Sequence, residues 1–209
     1  MADAIDRQRT PMVEIVEESS TALALYAQIP IAFTVNRIFE VQDGVEGRAL
    51  AERRVPVPYV KDYDAVGESG PLQWSEQFDI STWAFFLARV DGRVVGGATV
   101  AFRTADVTML DGRDDLAVLW DIRVAPESRR RGVGAALFSK ALEWARARGC
   151  SELKIETQNV NVGACRFYER CGCELRAMHR SAYATLPDEM QLLWYRSVSS
   201  SLLVQAVSQ

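Results

Sequence analysis

The 209-residue chain carries 24 basic and 28 acidic side chains, a formal net charge of -4, with 48% hydrophobic and 25% charged residues. This balance fits a soluble globular domain with a sizeable core and excludes a protein whose whole surface binds nucleic acid. No apolar run approaches the roughly 20 residues that span a bilayer, and MADAIDRQRT lacks a signal peptide's basic start and apolar stretch, so a cytoplasmic protein is expected.

In chain order, Pro11 to Glu18 alternates enough to form a first strand, and Ser19, Ser20 and Thr21 offer an N-cap for a short helix from Ala22 to Ala27. From Phe33 to about Tyr63 the pattern weakens. Phe33, Val35, Ile38 and Val41 fit one extended piece and Val55, Val57 and Val60 another, with Pro56 and Pro58 demoting the second to an edge or loop. Tyr63 to Asp79, with Gly67, Gly70 and Pro71, reads as a long surface loop.

Trp83 to Val90 and Arg93 to Phe102 flank Asp91-Gly92, the signature of a two-residue hairpin turn, and Gly96-Gly97 signals a bulge or a close backbone approach. A strand over Ala117 to Val124 leads through a basic, glycine-containing turn into a helix whose Leu137, Phe138, Ala141, Leu142 and Ala145 share one face, stopped at Gly149. A strand at Glu152 to Gln158 completes a right-handed parallel crossover. A second helix runs from about Val162 to Cys171, stopped by Gly172. Cys173 to Arg180 and Gln191 to Ser197 fit antiparallel strands. These elements give one α/β domain with a mixed sheet over 1–209, with a variable region over about 1–82 and a tail over 197–209.

The stretch VLWDIRVAPESRRRGVGAA, Val118 to Ala136, carries the most chemistry. A strand feeding a helix through such a turn leaves the first helical N–H groups unpaired, with the positive end of the helix dipole behind them, which suits a phosphate. A dehydrogenase reading stops at Gly132-Val133-Gly134: Leu137 stands where GxGxxG needs its third glycine, and the loop from Val124 is too long. GxxxxGK[ST] is absent, which disfavours a nucleotide triphosphatase. The four cysteines, at 150, 165, 171 and 173, read as reduced, packed thiols. With one histidine, no HExxH and only Cys-x-Cys spacing, no metal is expected.

Arg129-Arg130-Arg131-Gly132-Val133-Gly134 together with Asn161-x-x-Ala164-x-x-Phe167-Tyr168-x-x-x-Gly172 resembles the two signatures of the GCN5-related N-acetyltransferases, over about Trp83 to Arg196. ETQNVNVGACRFYERCGC looks especially like the streptothricin acetyltransferase branch. The resemblance implies that family's fold, a central mixed twisted sheet flanked by helices, with an acetyl-CoA core over about 83–196. It also implies acetyl transfer from acetyl-CoA to a primary amine of a small cationic acceptor, without a covalent enzyme intermediate, and a possible homodimer; neither nucleic acid nor membrane is an expected partner.

Arg129, Arg130, Arg131, Gly132, Val133, Gly134 and Ala135 then form the pyrophosphate turn. The backbone of Ile122 and Val124 pairs with the pantetheine arm, and Asn161 holds that arm from the opposite side. Tyr168 takes the family's general-acid position, near the departing sulfur. A lysine-like amine has a pKa of about 10.4, so a base must take its proton near neutral pH. Many relatives carry Glu where this chain has Trp120. Asp121 is the expected base, with Glu156 on the neighbouring strand as the other carboxylate available. Glu68, Glu76 and Asp79 are candidates to attract a cation. The Trp120 departure leaves a noncatalytic acetyl-CoA sensor as the alternative.

Overall fold

The computed structural model describes residues 12–44, 47–65 and 70–198. The first strand, β1, is confined to Glu14–Glu18, and Pro11 lies outside the described residues. A short α1 (Leu23–Tyr26) precedes β2 (Phe33–Gly44) and β3 (Gly47–Lys61), and α2 (Trp74–Gln77) lies within the segment expected to be loop. Then follow β4 (Ala84–Val90), β5 (Arg93–Phe102), β6 (Leu116–Val124), α3 (Val133–Ala147), β7 (Glu152–Gln158), α4 (Val162–Arg170), β8 (Glu174–His179) and β9 (Gln191–Ser197).

Seven strands form one sheet in the order β1-β4-β5-β6-β7-β9-β8, with β6 and β7 parallel and the other neighbours antiparallel. Alternation along the strands sends their side chains to two cores. Ala98, Val100, Leu119, Leu153 and Ile155 pack with Leu137, Phe138, Ala141 and Ala145 of α3. On the opposite face Phe85, Leu87, Ala101 and Val118 pack with Leu23, Tyr26, Trp74 and Trp83. Both long helices end in the same two backbone bonds, Gly149 N–H to Arg146 and Cys150 N–H to Ala145 for α3, Gly172 N–H to Glu169 and Cys173 N–H to Tyr168 for α4. Gly149 and Gly172 supply the left-handed residue that this termination needs. Among the described residues, no helix is long and apolar enough to cross a membrane.

Gly96 and Gly97 serve the two faces separately. The β4–β5 pairing skips a residue beside Gly96, and a Cβ there would lie 3.1 Å from Val133. At Gly97 a Cβ would lie 2.5 Å from the Tyr26 ring and 3.0 Å from the Phe86 carbonyl. Tyr26 is fully buried and hydrogen-bonded, so it has little room to give. Gly97→Ala is expected to destabilise the fold by about 1–3 kcal/mol, the usual range for overpacking, as read from urea denaturation.

The weak pattern from 33 to 63 resolves as a separate two-stranded ribbon of β2 and β3. Its register jumps from Val35↔Tyr59 to Arg37↔Arg54, so Val55-Pro56-Val57-Pro58 bulges opposite Asn36 alone. Proline lacks the N–H that a ladder needs, which places the irregularity at those two prolines. The ribbon is tied to the main body by the backbone bond from Phe39 N–H to the Asn159 carbonyl and by Arg166 of α4 reaching Glu52.

Candidate active site

Pairing between β6 and β7 runs from Leu116↔Glu152 to Leu119↔Ile155 and stops, although β6 continues to Val124 and β7 to Gln158. β7 keeps β9 as its partner to Gln158↔Gln191, so the two parallel strands part as a fork. A bulge on β6 marks the fork's origin: Val100 pairs with Leu119 and Thr99 with Asp121, leaving Trp120 as the extra residue. Such a bulge bends its strand and re-aims the side chains beyond it. The Trp120 ring packs 5.2 Å from both Phe78 and Trp83, which makes Trp120 a packing element. Ile122 and Val124, beyond the bulge, turn their side chains to the α3 core and leave their backbone along the fork.

Asp121 sits in a dense polar knot. Its carboxylate accepts from the Tyr26 hydroxyl at 2.5 Å and from Arg123 Nη2 and Nε at 2.7 and 3.0 Å. Arg123, whose side chain is 1% exposed, also donates to Asp64 at 2.8 and 3.2 Å and to the Ile29 carbonyl at 3.1 Å. Burial opposes the Arg123 charge, but Asp121, Tyr26 and Asp64 outweigh it and hold the guanidinium firmly protonated. Burial, then the Asp121 charge, pushes the Tyr26 phenol well above its usual range. Both Asp121 oxygens are therefore engaged, and a buried cation neutralises the carboxylate.

Glu156 is the first residue of β7 past the last β6–β7 pair. Its carboxylate accepts from the Tyr183 hydroxyl at 2.7 Å and from Gln191 Nε2 at 2.8 Å, while Gln158 Nε2 donates to the Tyr183 oxygen at 2.9 Å. These partners are neutral, and among the described residues no cation pairs with it. Burial, followed by the Glu156 charge, drives the Tyr183 phenol well above its usual range.

After β6 the chain makes a single 3-10 turn at Pro126–Ser128 and takes left-handed backbone at Arg130 and Gly132, with φ of 61° and 84°. Among the described residues, no side chain caps α3. The Gly132 carbonyl accepts from Ala136 N–H at 3.0 Å, so the N–H groups of Val133, Gly134 and Ala135 stand before the first helical bond with no intrahelical partner. Arg129 is turned inward, donating to the carbonyls of Val124 and Ala32 at 2.9 and 3.1 Å, whereas Arg130 and Arg131 are exposed. A Cβ on Gly132 would meet nothing, and one on Gly134 would touch only Phe167 and Val124 beyond 3.5 Å. The turn is thus open around Gly132.

On α4, Asn161 is the N-cap, its side-chain oxygen accepting from Ala164 N–H at 3.1 Å. Tyr168 is 5% exposed, with its ring 5.4 Å from Phe167 and 6.3 Å from Phe138. Its hydroxyl makes no hydrogen bond to any described residue. Burial, then the nearby Asp121 charge, raises the phenol well above its usual range. Of the acids expected to attract a cation, Glu68 lies outside the described residues, Glu76 is exposed on α2, and Asp79 is occupied with Ser81 N–H at 3.0 Å. Sequence reasoning missed Tyr26, Arg123 and Tyr183. Only Arg123 left a signal, two residues from Asp121 on the same strand.

Residues 56–173 match the model of the acetyltransferase (GNAT) family. Streptothricin acetyltransferase A of Bacillus subtilis is 38% identical over 69% of this chain and 76% of its own length. Streptothricin acetyltransferase of Escherichia coli is 30% identical over 78% of this chain and 84% of its own. The structure of a putative streptothricin acetyltransferase from Bacillus anthracis in complex with acetyl coenzyme A superposes with a TM-score of 0.71 at 25% identity, covering 89% of this chain and 99% of that one. The forked strands and uncapped turn thus occur in a chain that aligns along most of its length with acetyltransferases, and the chain belongs to the GNAT acetyltransferase family.

Proposed function

We propose that this acetyltransferase moves acetyl from acetyl-CoA to a primary amine of a small cationic molecule of the streptothricin type. The single observation that carries the reading is the fork between β6 and β7, with the unpaired Tyr168 hydroxyl on its α4 side and the uncapped α3 turn at its end. The names of the two streptothricin acetyltransferase relatives supply the acceptor class. The N–H groups of Gly132 to Ala135 fit the pyrophosphate, with Arg130 and Arg131 adding exposed positive charge and Arg129 bracing the turn from inside. Ile122 and Val124 offer backbone to the pantetheine arm along the fork, and Asn161 fixes the start of the opposing helix.

When bound, acetyl-CoA supplies an activated thioester carbonyl at the fork. Tyr168, kept protonated, donates to the sulfur as the C–S bond breaks. Glu156 takes the acceptor's ammonium proton, because its carboxylate is held by neutral donors at the fork's mouth; Asp121, bound to Arg123 and Tyr26, positions the bulge. The cysteines take no covalent part in this scheme. Burial pushes Cys165 and Cys173 up to about 12, so both thiols stay protonated and weakly nucleophilic at neutral pH.

Ala135→Asp tests the turn, because a carboxylate there favours the helix dipole but faces the pyrophosphate. Calorimetric titration with coenzyme A is expected to give a Kd at least about tenfold weaker, while the thermal midpoint does not fall. Unchanged affinity would remove the turn from the coenzyme site.

A further inference from the structure

A second cluster of buried polar groups joins β3 to the loop before β9. Lys61 Nζ and Glu189 Oε1 lie 2.5 Å apart, with side chains 8% and 9% exposed. The same ammonium lies 5.4 Å from the centre of the Tyr63 ring. Two atoms of this cluster are buried without a hydrogen-bond partner, Glu189 Oε2 and the Tyr63 hydroxyl; the latter faces the Asn161 amide without reaching hydrogen-bond geometry. Unpaired buried polar atoms are costly and rare in native proteins, and two in one cluster call for a missing donor.

The charges specify that donor. Lys61 meets Glu189 through Oε1 alone, and the exposed Asp188 adds a second negative charge next to it in the chain; burial, then the Glu189 and Asp188 charges, raises the phenol of half-exposed Tyr59. A carboxylate oxygen without a donor matches an ammonium group through a charge-assisted hydrogen bond. The cluster also adjoins the fork: Met190, the neighbour of Glu189, exchanges hydrogen bonds of 3.0 and 2.8 Å with Asn159, the residue after the end of β7. The loop carrying Glu189 also carries Tyr183, the Glu156 partner.

We propose that Glu189 Oε2 and the Tyr63 hydroxyl form an anchoring subsite for a second ammonium group of the acceptor, so that the enzyme prefers diamines over monoamines. This rests on the reading of the fork as an amine acetyltransferase site. The anchor makes no covalent bond; it holds one ammonium while the other amine of the same molecule is acetylated.

The test has two arms, both on the full chain. In the first, α,ω-diamines of three to six carbons and monoamines of matched length are compared by coenzyme A thiol release. In the second, diamine binding to the protein alone is measured by calorimetry. Wild type is expected to favour diamines in kcat/KM by about ten- to a hundredfold, the worth of a charged hydrogen bond, and Glu189→Gln to collapse that ratio by raising KM. Tyr63→Phe separates ligand from scaffold. Removing an unsatisfied buried hydroxyl is expected to hold or raise the thermal midpoint while raising the diamine KM, a pairing that a purely structural hydroxyl does not produce. Equal handling of diamines and monoamines by wild type, with thiol release intact, would overturn the anchor and leave the transferase reading standing. Glu189-dependent diamine binding without thiol release would do the reverse.

Discussion

Tyr168→Phe is expected to lower kcat by about 10²- to 10³-fold with coenzyme A affinity and thermal midpoint nearly unchanged, the low end of what a positioned acid contributes. The ring packs against Phe167 and Phe138, and phenylalanine keeps those contacts. The hydroxyl has no partner among the described residues, so its removal breaks no hydrogen bond among them. The loss should therefore fall on the chemical step. Burial, reinforced by the Asp121 charge, raises this phenol above its ordinary value of about 10, so the protonated, donating form persists through that pH. The sign follows directly: kcat at saturating acceptor should show no falling limb from Tyr168 up to about pH 10. A variant with full turnover in a chemistry-limited assay would remove Tyr168 from the reaction.

Arg123→Met is expected to cost about 3–5 kcal/mol of stability, because it strands the Asp121 carboxylate without its cation. For a chain of this size that corresponds to a fall in thermal midpoint of about 10 °C. The guanidinium links β6 to the segment after α1 through Ile29 and to the segment after β3 through Asp64, and stacks 5.1 Å from the Tyr26 ring. Its loss should also release the bulge that opens the fork, lowering activity below what unfolding explains. Combining it with Asp121→Asn removes the stranded charge, and the double variant should recover much of the lost midpoint. A coupling energy near zero in that cycle would mean that the two side chains act independently.

The sequence made the frame of the site legible because its signals are local. The β7 boundaries, Glu152 to Gln158, followed from periodicity, and both helix ends followed from Gly149 and Gly172. The turn at Arg129 to Ala135 and the position of Tyr168 are likewise short-range patterns. The knot around Asp121 was invisible because Tyr26 lies 95 residues away and α1 is one turn long, too short to show which face it buries. Glu189 and Lys61 are 128 residues apart, on a loop and on a ribbon whose prolines hid its length. Trp120 gave half its meaning: its indole explained the absence of a base at that position, but only the packing against Phe78 and Trp83 explains why an aromatic stands there.

The most direct test of the account is release of coenzyme A thiol from acetyl-CoA in the presence of streptothricin, aminoglycosides, polyamines and lysine peptides, with the acetylated product identified by mass spectrometry. The account predicts rapid release with a small polycationic amine and acetyl on one of its primary nitrogens. Tight coenzyme A binding with no release on any acceptor would contradict it and leave a noncatalytic acetyl-CoA sensor in its place.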